Sequence, residues 1–152
     1  MKFKDHINAK DCYARLALDD SKSYIIDVRS KEELISEGVV DLSESPEKVV
    51  FCEWRVHGSM ELNEHFFQNL IDKLDFSQIN HLYFICAAGV RSKEAANYTR
   101  NKLKALDFKI ECINVADGFT GNKNYFFGFG EVNGWKAMGL PYRQFEKTSL
   151  DS

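Results

Sequence analysis

The stretch HLYFICAAGVRSKEAANYTRNKLKAL, His81 to Leu106, changes character twice. It opens on HLYFIC, an apolar run too short for a helix, and that reads as a buried strand ending at Cys86. Three residues with little or no side chain follow: Ala87, Ala88 and Gly89. From Ser92 onward the pattern becomes helical, with Ala95, Ala96, Thr99, Leu103 and Leu106 recurring on one face. A strand handed through a short loop to a helix is half of a βαβ unit, and a parallel sheet repeats that rhythm.

The rhythm is present on both sides. Asn8 is placed to cap a first helix carrying Cys12, Tyr13, Leu16 and Ala17. SYIIDV, Ser23 to Val28, is a second apolar strand. Ser30 and Glu33 form a capping box for a short helix that Gly38 ends. VVFCEW, Val49 to Trp54, reads as a strand. Asn63 is placed to cap a helix with Phe66, Phe67, Leu70, Ile71 and Leu74 on one side. KIECINV, Lys109 to Val115, is a further strand. Strands that are apolar throughout and alternate with helices imply an α/β fold, a mostly parallel central sheet flanked by helices on both faces. The length of 152 residues fits a single domain, residues 1–152, and a chain of this size buries roughly 68–70% of its unfolded surface, so it folds without metal or disulfide staples.

Composition narrows the function. A formal charge of −3 supplies no basic field for nucleic acid. No apolar run approaches the roughly 20 residues of a membrane span, and the N-terminal stretch has no signal-peptide pattern, so a soluble, cytoplasmic protein is expected. Cys12, Cys52, Cys86 and Cys112 are far apart and make no CxxC, which speaks against a zinc site, and neither a metal nor a cofactor is expected. Cys12, Cys52 and Cys112 read as small buried apolar residues.

Cys86 reads differently. Ligands of open α/β sheets bind outside the carboxyl ends of the strands, and Cys86 stands at such an end. The helix that follows brings unpaired N–H groups and the positive end of its dipole to the sulfur, which favours the thiolate. Ala87, Ala88, Gly89 and Val90 form a loop whose backbone amides can turn towards the sulfur, and Gly89 takes positive φ without penalty. Arg91 adds a fixed positive charge at the rim with fork-shaped donors for an oxyanion, and Ser92 is placed to cap the helix and brace the loop. A structural turn does not need both the small residues and the arginine.

These residues resemble the rhodanese-like family. Cys86-Ala-Ala-Gly-Val-Arg91-Ser92 is similar to that family's active loop, and Ile26-Asp27-Val28-Arg29 to its "DVR" strand end, followed by Glu32 and Glu33. Asn114 to Phe119 and Gly134 to Pro141 resemble its closing segment. The resemblance covers about residues 24–142. It departs from the family where Glu37 to Asp41 replaces a "GHI.GA" pattern, and where Asn122 to Asn133 intervenes before Trp135. The resemblance implies a sulfurtransferase: Cys86 as nucleophile, a small sulfur donor such as thiosulfate, a persulfide held by the amides of Ala87 to Arg91, and a thiophilic acceptor such as cyanide or a thiol. Arg91 would attract the donor's anionic group, and Asp27 and Arg29 would brace the loop by hydrogen bonds.

Two rivals follow from the same reading. One is a persulfide carrier or binding module serving a protein partner. The other is a phosphatase or arsenate reductase of the same fold, disfavoured because only four residues separate Cys86 from Arg91. Trp54 and His57 could line the mouth, but a core Trp and a surface His are the expected outcome. His6, His65 and His81 read as structural or solvated. Gly128 to Gly134 only faintly resembles a dinucleotide loop and lacks its βαβ setting. Whether Cys52 or Cys112 lies near enough to resolve a persulfide is open at this level.

Overall fold

The computed structural model describes residues 5–18, 22–121 and 133–146. Besides two short 3-10 turns, eleven strands and α-helices appear among them, in the order β1 (His6–Ile7), α1 (Ala9–Leu18), β2 (Ser23–Asp27), α2 (Lys31–Glu37), β3 (Val39–Val40), β4 (Val49–Phe51), α3 (Phe66–Lys73), β5 (His81–Ile85), α4 (Val90–Ala105), β6 (Glu111–Val115) and β7 (Tyr142–Arg143). Five strands form one parallel sheet in the order β1-β6-β5-β2-β4. β3 and β7 form a separate antiparallel pair.

Side chains alternate across the sheet, so each strand feeds two cores. Ile26, Leu82, Phe84, Cys86 and Cys112 face α3 and α4, whose Phe66, Leu70, Ala95, Ala96 and Leu103 cover them. Ile25, Tyr83, Ile85, Ile113 and Val115 face the other way, against Cys12 and Leu16 of α1 and against Phe119 and Trp135. Both faces being buried is why β2 and β5 are apolar along their length. The expected sheet and its helical layers are therefore present.

Several element ends differ from expectation. β4 stops at Phe51 rather than Trp54. Beyond it Cys52 and Trp54 still donate to the carbonyls of Asp27 and Val28, but the chain then turns into a hairpin closed by Val56 N–H on the Glu61 carbonyl. α3 starts at Phe66, because the Asn63 side chain accepts from His65 N–H and shapes the turn before the helix. Ala17 and Leu106 are exposed, each in the last turn or just beyond its helix, where the apolar face has run out of sheet to cover. Among the described residues no helix is long and apolar enough to cross a membrane.

The insertion that separates Phe119 from Trp135 in the sequence does not separate them in space. Trp135 and Lys136 donate to the carbonyls of Gly118 and Phe119 at 2.8 and 3.1 Å. Gly121 and Gly134 approach so closely that a Cβ on Gly121 would fall on the Asn133 carbonyl oxygen. The chain leaves and returns at one point. The segment between, including most of the Gly-rich motif at 128–134, lies outside the described residues.

Candidate active site

β5 ends at Ile85, and the next residue, Cys86, lies at the carboxyl edge of the sheet's central strand. α4 begins four residues later, at Val90, two residues earlier than the pattern from Ser92 suggested. The N-cap is Gly89, at φ 94°, and not Ser92. Only glycine fits there: its conformation is left-handed, and a Cβ would fall on the carbonyl oxygen of Ala116. This close approach folds the loop over the sulfur. Gly89 N–H and Ser92 N–H donate to Cys86 Sγ at 3.2 and 3.3 Å. Ser92 thus lies inside the first turn of α4, and its amide contributes to the cradle.

The Ser92 hydroxyl has two neighbours, Cys86 Sγ at 3.1 Å and Asn114 Oδ1 at 2.6 Å. Asn114 Nδ2 donates to the Gly89 carbonyl at 3.0 Å, which fixes the amide with its oxygen towards Ser92. The hydroxyl hydrogen therefore goes to Asn114 while Cys86 is a thiol, and the thiol donates to Ser92. Once the sulfur is anionic, that hydrogen can turn to it. Asn114, the fourth residue of β6, was not singled out from the sequence as part of the site. Nothing local marks it, because its partners beside the sulfur, Gly89 and Ser92, lie more than twenty residues earlier. His6 on β1 lies 3.4 Å from the same amide, closer to the site than its sequence context suggested.

Arg91 is not an open fork at the rim. Its Nη1 and Nη2 donate to Oε1 and Oε2 of Glu33 at 2.7 and 2.8 Å, a bidentate pair joining α4 to α2. Glu33 holds the capping box as well: its Oε1 accepts from Ser30 N–H, and its own N–H donates to Ser30 Oγ. Burial alone would raise the Glu33 carboxyl. Arg91 and Ser30 override that and hold it at about 2. Hydrogen bonding to Glu33 pushes the Arg91 guanidinium higher still.

No family model matches the chain. RP600, an uncharacterized protein of Rickettsia prowazekii, is 30% identical over 138 residues, which is 91% of this chain and 96% of that protein. The crystal structure of Rv0390 from M. tuberculosis superposes with a TM-score of 0.76 at 30% identity, covering 95% of this chain and all of that one. A rhodanese-like domain protein from Staphylococcus aureus matches 94% of this chain and all of its own at a TM-score of 0.56 and 18% identity. The chain has the rhodanese-like fold. A protein of unknown function from Rhodopseudomonas palustris, described as a possible tyrosine phosphatase, shares the fold at a TM-score of 0.50 and 19% identity, covering 91% of this chain and 84% of its own.

In this rhodanese-like fold the Asp27 and Arg29 side chains do not bond to the loop directly. Arg29 Nε and Nη2 donate to the Asp27 carboxylate at 3.0 and 2.7 Å, and Nη2 also reaches the Gly38 carbonyl. Arg29 Nη1 has no hydrogen-bond partner among the described residues, but the Phe119 ring stacks 4.2 Å from the guanidinium carbon. Phe119 N–H in turn donates to the Cys86 carbonyl at 2.8 Å. The expected hydrogen-bond brace is therefore an indirect one, because both side chains are already committed to each other.

The other cysteines are placed away from the sulfur. Cys112 pairs in register with Leu82, four residues before Cys86, which is about 13 Å along the strand. Cys52 follows β4, two strands away from β5, about 10 Å across the sheet. Both separations exceed the span of a disulfide. Burial pushes the thiols of Cys52 and Cys112 up to about 12, and raises that of Cys12. Trp54 is core, its Nε1 donating to Glu94 at 3.0 Å, and His57 is on the surface.

Proposed function

We propose that the protein is a sulfurtransferase that works through a Cys86 persulfide. The observation that carries this reading is the pair of amides, Gly89 and Ser92, directed at Cys86 Sγ. They offer preorganised donors to a sulfur anion before and after sulfur is added. In the first step the Cys86 thiolate attacks the outer sulfur of the donor. With thiosulfate, the donor's S–S bond breaks, sulfite leaves with the electron pair, and Cys86–S–S⁻ remains. In the second step a thiophilic acceptor, cyanide or a thiol, attacks the outer sulfur and the thiolate returns. With cyanide the product is thiocyanate. Ala87, Ala88, Gly89, Val90, Arg91 and Ser92 shape the loop, and Asp27 and Arg29 support it through Phe119. The scheme uses no cofactor or metal, and the acceptor thiol can belong to a protein. Four unpaired cysteines suit the reducing cytoplasm.

The likeness to a possible tyrosine phosphatase makes phosphate-ester hydrolysis the second reading. It is the weaker one, because both terminal nitrogens of Arg91 already hold a carboxylate where a phosphate would need them.

Intact mass before and after thiosulfate tests the proposal. Wild type should gain one sulfur atom that cyanide removes, and Cys86→Ser should gain none. A folded, reduced wild type that takes no sulfur from thiosulfate or from a low-molecular-weight persulfide would overturn it.

A further inference from the structure

The 86–92 loop contains one cation, Arg91, and both of its terminal nitrogens face Glu33. An anionic donor approaching Cys86 therefore meets a neutralised pair and not a free guanidinium. To bind Arg91 it must share the fork with a carboxylate or displace one that is also held by the α2 cap. Glu32 and Glu33 both stand near enough to Glu53 for their charges to repel its own. Together with burial, which acts first, this raises the Glu53 carboxyl against the backbone hydrogen bond and charge of His57. Thiosulfate brings two negative charges to this place. A thiol persulfide, R–S–SH, brings a reacting end that is neutral when protonated.

Building on the sulfurtransferase reading, we propose that Glu33 sets the donor class: by holding Arg91 in a closed pair it selects thiol persulfides over thiosulfate as the source of sulfur for Cys86. The favoured step is Cys86–S⁻ + R–S–SH giving Cys86–S–SH + R–S⁻. One S–S bond breaks and one forms, the thiolate leaves with the electron pair, and the proton stays on the transferred sulfur. Oxidation states are conserved overall, so no further reactant is needed. Glu33 touches neither donor nor sulfur. It acts through Arg91 and is a positioning residue.

The test is Glu33→Gln, which keeps an oxygen for the Ser30 cap and the side-chain length but removes the charge. Thermal unfolding confirms that the variant is folded. For each protein, kcat/KM is measured with thiosulfate and with cysteine persulfide. The ratio should move towards thiosulfate by about tenfold in the variant, through a lower KM, since a freed cation at a partly screened site acts on that scale. The double variant Glu33→Gln/Arg91→Gln should lose the gain, because the effect runs through Arg91. A second readout does not depend on sulfur transfer: the rates at which Cys86 is alkylated by iodoacetamide, which is neutral, and by iodoacetate, which is anionic. Glu33→Gln should raise the iodoacetate rate relative to iodoacetamide. An unchanged alkylation ratio in a folded variant, or a Cys86 that neither reagent reaches, overturns the proposal. Failure of every donor to load Cys86, with the alkylation ratio shifted as expected, would overturn the sulfurtransferase reading and leave the charge control of Cys86 standing.

Discussion

Glu33 Oε1 accepts from Ser30 N–H, Ser30 Oγ and Arg91 Nη1. One side chain thus caps the start of a helix and neutralises a loop. Its folded carboxyl, at about 2, lies below the ordinary value of 4.5. A group depressed in the folded state stabilises it above the ordinary value, and that contribution is lost as pH falls towards the folded value. Stability to urea should therefore drop between about pH 5 and pH 2, and less steeply in Glu33→Gln, where this group no longer titrates. An equal slope in the variant would show that other carboxylates carry the acid sensitivity. The capping role of Glu33 was legible, since Ser30 and Glu33 stand three apart in the sequence. Its hold on Arg91 was not, because the partners are 58 positions apart and only the docking of α2 against α4 brings them together. The same holds for Asn114, which braces the loop from another strand.

At the level of elements, the loop between β5 and α4 depends on two devices. The first is the Ser30 cap of α2. Ser30→Ala removes the acceptor for Glu33 N–H and should cost about 1 kcal/mol in chemical unfolding. A loss near zero would mean that Arg91 alone keeps Glu33 and the helix end in place. The second is Gly89. Gly89→Ala puts a Cβ on the Ala116 carbonyl in a left-handed conformation, at a cost on the order of 1–3 kcal/mol. It should also draw the Gly89 amide away from Cys86 Sγ, so sulfur uptake measured by mass should fall along with the melting temperature. A folded variant with normal uptake would show that Ser92 N–H suffices. The strands and helices themselves were readable because each carries its own period of apolar residues. The start of α4 was misplaced by two residues. A serine three residues into the helix looks like a cap, whereas the true cap is a glycine chosen by contact with Ala116, a residue outside the segment.

Across the whole molecule, the parallel sheet puts the Cys86 loop at its centre, with β6 and β1 on one side and β2 and β4 on the other. The layered architecture was legible from alternation alone. The strand order was not, because the apolar strands carry no mark of which neighbour each will take. Nor could the sequence tell that the stretch from Asn122 to Asn133 interrupts the chain without interrupting the core. Since Gly121 and Gly134 abut, replacing residues 123–131 with a short Gly-Ser link should leave the unfolding free energy within about 1 kcal/mol of wild type. A larger loss would mean that those residues contribute contacts of their own to stability.

The order of the strands also has a consequence for the chain as it is being made. β1 leaves the ribosome before the other described strands, yet among the described residues its one partner in the sheet is β6, and β5 likewise waits for β6 on that side. Asn114 arrives on that same late strand. For the time it takes to synthesise the stretch from Cys86 to Asn114, the nascent protein carries a thiol without its brace and a central strand with one side uncovered. Vectorial synthesis thus makes β6 the closing piece, and the cradle around the sulfur can be completed only when nearly all of the fold is in hand.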